Sequence, residues 1–270
     1  MVTDFSGFAY GASSMNFPIT HPNYWEVSPG VNFENIFRNC TNLNGGQSAG
    51  VGGRNFEMKF STTPGDTYDL SNFFQGSDRF NQDISTDLVN GYWEMDNVTS
   101  LSTFLYQAVD FNQDISNWNV GNCTDFSFCF GSTLFNFSLS SWNVSSATNM
   151  SNMFRDGAFN QPLNWGGNTS LVENMTSMFQ GTPFDQDISG WSIASLTNAS
   201  DMFLGNNAWS TTNYDLLLDS TTGWASQATI QSGVSFSAYN TQYTAGGNAE
   251  AGKFILTGTY GWNIVDGGPI

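Results

Sequence analysis

Phe111, Phe135, Phe159 and Phe184 mark a pattern that returns every 24 or 25 residues, and each period carries two apolar clusters of different spacing. In Ile115-x-x-Trp118-x-Val120 the last two apolar residues flank a polar one, the alternation of a half-buried strand. In Thr148-Asn149-Met150-Ser151-Asn152-Met153-Phe154 the apolar residues lie three and four apart. That spacing predicts a short helical turn with Thr or Ser near its start. The two clusters keep one register: Trp118 to Phe130, Trp142 to Phe154 and Trp191 to Phe203 are each twelve steps. Trp25 to Phe37 and Trp93 to Leu105 repeat it. Between them Phe56-Glu57-Met58 and Leu70-Ser71-Asn72-Phe73-Phe74 form one more period, widened by insertions near 44–67 and 85–92. Thr3-Asp4-Phe5-Ser6-Gly7-Phe8 overlays Thr148 to Met153, so the pattern is already under way there. An upstream segment or a partner surface is expected over Thr3 to Phe8.

A strand plus a short helix cannot bury its apolar face alone, and stacking neighbours solves that problem. The expected fold is α/β: a leucine-rich-repeat-like right-handed solenoid, with a parallel sheet on one face and short helices or 3-10 turns on the other. Strands about 4.8 Å apart would enclose one Trp/Ile/Val/Met/Phe core. About seven turns, the first incomplete, occupy 1–205, and 206–270 is a C-terminal capping region continuous with them. In that cap Tyr214 to Trp224 and Ala249 to Leu256 read as helices, and Val234 to Phe236 and Trp262 to Ile264 as strands.

Composition narrows the function. Six Lys+Arg stand against 23 Asp+Glu among 270 residues, a formal net charge of −17. That field repels a phosphate backbone and no basic cluster offsets it, so nucleic acid is not expected as a partner. No apolar run approaches the roughly 18 residues that span a bilayer. Cys40, Cys123 and Cys129 are too few and too irregular for a disulfide framework. Met1 to Phe5 has neither the basic start nor the apolar stretch of an export signal.

Phe-Asn-Gln-Asp-Ile-Ser-x-Trp-x-Val followed by Thr-Asn-Met-Ser-x-Met-Phe, as at 111–154 and 184–203, resembles the roughly 25-residue repeat of BspA-like leucine-rich-repeat surface proteins. Leu216 to Trp224 and Tyr260 to Gly268 resemble the ending of many members. The resemblance spans nearly the whole chain and implies surface display and attachment to host molecules, other cells or glycans. The insertions in the first half depart from it and unsettle strand register there.

The chemistry favours binding over catalysis. His21, the only histidine, sits in a turn-like Thr20-His21-Pro22-Asn23, and a Ser-His-Asp triad or His-rich metal site needs it or more of its kind. Gly45 to Gly53 lacks the Lys-Ser/Thr end of a phosphate-binding loop. Asn149, Asn174 and Asn198 begin glycosylation sequons, but they share a repeat phase, which points to side-chain bonding within the turn. Asp83, Asp114 and Asp187 also share one position. They read as turn caps, with calcium the one cofactor such a row would admit; the row is broken at Ser138 and Pro162. No carboxylate pair is singled out for glycoside hydrolysis, so no catalytic residues are assigned.

The residues expected to project from the sheet are Glu26, Glu57, Glu94, Asn119, Asn143 and Ser192, with Asn117 and Ser141 beside them. That face is the expected ligand surface, carboxylates first and neutral groups after. The expected function is an extracellular or cell-surface adhesion module binding a host protein, cell surface or glycan. A virion receptor-binding or structural component is the alternative, and a carbohydrate-active enzyme a distant one.

Overall fold

The structure, a computed structural model, describes residues 6–19, 26–27, 33–48 and 51–270, with 26–27 by backbone alone. Short strands appear in order: β1 (Glu26–Val27), β2 (Lys59–Phe60), β3 (Tyr68–Asp69), β4 (Val98–Ser100), β5 (Asn198–Ala199), β6 (Ser235–Ser237) and β7 (Asn263–Val265). All their pairings are parallel: β1 with β2, β3 with β4, and β5 with β6 with β7. Between β4 and β5 single-residue parallel pairings continue the ladder through Asp125, Asn149 and Asn174.

The ladder runs along the Thr-Asn-Met block. This corrects the expectation of a strand at Trp-x-Val and a helical turn at Met-x-x-Met-Phe. Met150, Asn152, Phe154 and Asp156 donate their backbone N–H to the carbonyls of Asn174, Thr176, Met178 and Gln180 in the next repeat, at 2.7–3.1 Å. The alternate N–H groups of Met153, Arg155 and Gly157 close turns onto residues three back. A helix is impossible here because Asn152 and Asp156 have φ of 59° and 55°, the left-handed region that an α-helix excludes. The same paired positions recur as Gly7 and Gly11, Asn72 and Gly76, and Ser177 and Gly181. A train of tight turns places Met150, Met153 and Phe154 in the core at helix-like spacing, which is why the apolar pattern read as a helix.

The Trp-x-Val segment uses its backbone locally. Trp118, Trp142 and Trp191 donate their N–H to the carbonyl three residues back, closing tight turns. Here the cross-repeat bond comes from the side chain: the indole N–H of Trp142 donates to Ile115 O at 3.1 Å, that of Trp118 to Ile84 O at 2.8 Å, and that of Trp191 to Leu163 O at 2.9 Å. The rings stack from repeat to repeat, Phe111, Phe135, Phe159 and Phe184 at successive centroid spacings of 6.1 Å. A second row ties the repeats at the Phe-Asn step, where Oδ1 of Asn112 accepts the N–H of Asn136 and Oδ1 of Asn136 that of Asn160. The indole bonds satisfy buried N–H groups that stacking would otherwise strand.

Beyond β5 come α1 (Thr211–Leu218), β6, α2 (Asn248–Phe254) running into a π-helical turn (Ile255–Thr259), and β7; the last three lie close to their expected bounds, whereas the helix expected over Tyr214 to Trp224 starts and ends earlier, and Trp224 opens a separate 3-10 turn. Ser210 caps α1 by accepting the N–H of Asn213. The expected covering of Thr3 to Phe8 lies partly outside the described residues. Within them, Phe8 is 64% exposed, while Gly7, Ala9 and Gly11 donate to the carbonyls of Glu34, Ile36 and Arg38. No described helix is long and apolar enough to cross a membrane.

Candidate binding cleft

The insertions do not merely widen the repeat; they fold over it. In the second, Asp87 pairs antiparallel with Tyr92, and Gly91, at φ 72°, turns the chain. Oδ1 of Asp87 accepts the N–H of Val89 at 3.0 Å and of Asn90 at 3.1 Å, and Oδ2 accepts the Asn90 amide at 2.9 Å. This side-chain cap is the local reason for the tight hairpin. Its tip carries Leu88 and Val89, 81% and 93% exposed. From the first insertion Arg54 reaches across, donating Nη1 to Asp83 Oδ2 at 3.2 Å and Nη2 to Ser85 O at 3.1 Å, with Asp87 Oδ2 at 3.7 Å.

The repeat face holds the hairpin from below. The Thr86 N–H donates to Asn117 Oδ1 at 3.0 Å while Asn117 Nδ2 donates back to Thr86 O at 2.9 Å. Asn119 Nδ2 donates to Asp96 Oδ1 at 2.6 Å. The result is a cleft of about 550 Å³ lined by Arg54, Thr86, Asp87, Leu88, Asp96, Asn117 and Asn119. A shallower pocket of about 270 Å³ extends it past Asn117 to Gln113 and Asp114. Such a cleft joins an exposed apolar tip to a floor of planar hydrogen-bonding side chains, the make-up of a ligand site.

Asp87's carboxyl is held below its ordinary range, chiefly by the Asn90 amide, then by the N–H groups of Asn90 and Val89 and by Arg54. Burial pushes Glu57 up, Arg54 opposes that and Asp87 adds to it. Lys59 lies 5.3 Å from the centre of the Tyr92 ring.

Of the residues expected from sequence, Asn117 and Asn119 enter the cleft. The expected row of carboxylates at one strand position does not form. Glu26 pairs with Lys59 rather than with Glu57, and the Trp93 N–H donates to Met58 O, which leaves Glu57 and Glu94 on opposite sides of that bond. The side chain of Glu26 is outside the described residues, as is His21. Ser141 donates to Ser116 O at 2.6 Å, Asn143 Oδ1 accepts the Ser145 N–H at 3.2 Å, and Ser192 Oγ accepts the Ala194 N–H at 3.4 Å. These three belong to later repeats and do not join the cleft. Arg54, Asp87, Leu88 and Asp96 were missed from the sequence; the signal was the insertion itself, with exposed Leu88-Val89 beside the turn-forming Asn90-Gly91.

The aspartate row is a row of turn caps: Oδ1 of Asp83, Asp114 and Asp187 accepts the N–H of Ser85, Ser116 and Ser189 at 2.8–2.9 Å. Oδ1 of Asn149, Asn174 and Asn198 does the same for Ser151, Thr176 and Ser200. Among the described residues no group of three or more His, Cys, Asp or Glu side chains is placed to hold a metal ion.

Three stretches of the chain, 1–51, 55–133 and 128–216, match the family described as Mycoplasma protein of unknown function, DUF285. The chain belongs to that family. Three matches in succession agree with a repeat array, and in this DUF285 chain Arg54 falls in the break between the first two. The Leu88 hairpin lies inside the second match, and the DUF285 matches end within α1. No curated protein and no solved structure matches the chain.

Proposed function

We propose that this chain is an extracellular or cell-surface binding module of BspA-like type, a leucine-rich-repeat-like right-handed solenoid that attaches to a partner on another surface. The observation that carries the reading is the cleft in which the Arg54 insertion and the Leu88 hairpin close over Asn117 and Asn119. Repeat arrays bury their apolar residues between neighbours and present ligands with insertions and outer faces. Leu88 and Val89 at a hairpin tip are poor in stability and well placed as contact anchors, the arrangement expected of a recognition loop on a rigid scaffold. The partner is a protein or glycan rather than nucleic acid, given the net charge of −17.

A binding panel of extracellular-matrix proteins, cell-surface glycoproteins and glycans tests it, comparing the natural chain with Leu88→Ser/Asn119→Ala. Both positions are exposed, so the double variant is expected to keep its unfolding midpoint. The expected result is a saturable ligand whose affinity falls at least about tenfold in the variant, the worth of one anchor or one well-made hydrogen bond pair. Equal affinity of the two proteins for every ligand bound, or no ligand in any class, overturns the reading.

A further inference from the structure

The last strands of the ladder carry a groove unlike anything in the repeats. β6 and β7 extend β5 in register, with Asn198 paired to Ser235 and Ser235 to Asn263. Alternation turns Phe236 into the core, 1% exposed, with Ile264 packed behind it, and leaves Ser235, Asn263 and Val265 outside. Asp201 and Leu204 from the β5 turn and Tyr239 and Asn240 after β6 wall this face into a groove of about 480 Å³.

Along the repeats the polar side chains of the outer row are engaged as turn caps, as Asn149, Asn174 and Asn198 are. In the groove Ser237 Oγ accepts the Tyr239 N–H at 3.3 Å and Asp266 is paired, but four other side chains are unengaged. The side chains of Asp201, Tyr239, Asn240 and Asn263 make no hydrogen bond or ion pair within the described residues. Tyr239 lines the wall and sits at φ 56°, a backbone state that a bulky residue rarely takes. Val265, 54% exposed, supplies an apolar patch beside it.

The charges restrict what fits. Asp266 lines the groove but is only 5% exposed along its side chain, and it is paired with Lys253 Nζ at 2.7 Å and accepts the Tyr214 hydroxyl at 2.6 Å. Asp201 is therefore the one uncompensated charge among the lining residues, and none of them is basic. A single carboxylate is too little for a calcium site and repels an anion. Peptide capture by strand addition would use the outer edge of β7, the last strand in the order β5-β6-β7, whereas this groove lies over the face of the sheet. What remains is an uncharged ligand dense in hydroxyls. Two amides, a carboxylate and a phenol supply acceptors and donors together, as vicinal sugar hydroxyls require, and the Tyr239 ring with Val265 offers a surface for the C–H face of a sugar.

The geometry points to a second ligand site, on the outer face of the C-terminal sheet, which takes an uncharged glycan through Asp201, Tyr239, Asn240 and Asn263. It shares no residue with the Leu88 cleft, so the two readings stand or fall separately.

The test is a glycan array probed with the whole chain, with neutral, sialylated and amine-bearing oligosaccharides, followed by titration calorimetry on the best neutral binder. Tyr239→Gly removes the ring while a glycine suits the left-handed backbone, and Asn240→Ala alters an exposed side chain, so both variants are expected to unfold at the natural midpoint. Each is expected to weaken neutral-glycan binding about tenfold or more, while Leu88→Ser/Asn119→Ala leaves it unchanged and sialylated counterparts bind more weakly. The proposal is overturned by an array with no neutral binder, by affinity that survives both groove variants, or by binding lost in the cleft variant instead. It is equally overturned if a peptide library, and no glycan, binds in a Tyr239-dependent way.

Discussion

Replacing Trp142 by Phe isolates the bond that joins one repeat to the last. Trp142 is 1% exposed, its ring stacks on Trp118 at 6.1 Å and 9°, and Phe126 and Phe130 lie within 6.0 Å. Phe keeps a stacked ring but loses the indole N–H, leaving the buried Ile115 carbonyl with the Trp118 backbone N–H as its remaining donor. Losing one buried hydrogen bond costs about 0.5–1.5 kcal/mol, and the smaller ring forfeits on the order of 1 kcal/mol of burial and contact. The expected loss is therefore about 1.5–2.5 kcal/mol, below the ~3–5 kcal/mol of Trp142→Ala. Phe154→Leu is the control, since Phe154 is equally buried and stacked, on Phe130 at 5.8 Å, but has no polar atom to lose. Its cost should stay near 1–1.5 kcal/mol. Equilibrium urea unfolding followed by far-ultraviolet circular dichroism measures all three. If Trp142→Phe proves no more destabilising than Phe154→Leu, the indole bond does not tie the repeats and the reasoning is refuted.

The thiols give a second expectation. Burial pushes Cys40 up to about 11 and Cys123 and Cys129 higher still, so a maleimide at pH near 8 should leave all three unlabelled until urea unfolds the chain; rapid native labelling contradicts this. At the turn positions, Gly181 has φ 67° with the Asp156 side chain against it. Gly181→Ala should cost about 1–2 kcal/mol, while Asn152→Gly should change stability by less than about 0.5 kcal/mol in the same unfolding assay. For Asp87, whose folded carboxyl is held low, the hairpin's share of stability is complete above the ordinary aspartate value and is lost as pH falls through the lowered one. Carbon-13 NMR of the Asp87 carboxyl should show a midpoint below that of an unfolded-chain aspartate, and a midpoint at or above it refutes the cap.

The repeat and its phase were legible because buried residues recur: the Trp, Phe and Met positions that set the period are those that stack. What the apolar pattern does not encode is which backbone segment pairs with its neighbour. Met150-x-x-Met153-Phe154 satisfies a helix and a train of tight turns equally, and the deciding feature is the left-handed backbone at Asn152 and Asp156. Asn, Gly and Ser at that phase were the available signal, blurred by Thr103 and Phe128, which take the same conformation without favouring it. The cap was easier, since Tyr214 to Leu218 and Val234 to Phe236 have the ordinary periods of helix and strand. Of the residues named from sequence, Asn117 and Asn119 line the cleft. The carboxylate row failed because the insertions shift register, pairing Glu26 with Lys59. Arg54 and Asp87 owe their place to tertiary contacts between two insertions, and no local period marks them.

If the Leu88 hairpin and the floor beneath it form the attachment surface, as proposed, a bulky group on the tip blocks attachment. Leu88→Cys places a reactive thiol at the exposed tip, and Leu171→Cys places one at another exposed site, two repeats beyond the last cleft residue. Each protein is labelled with a bulky maleimide, coated on beads and scored for attachment to cultured animal cells and to immobilised glycans. Labelling at 88 is expected to abolish attachment that the unlabelled protein shows, while labelling at 171 leaves it intact. Attachment that persists with the tip blocked, or that is absent before any label is added, contradicts it.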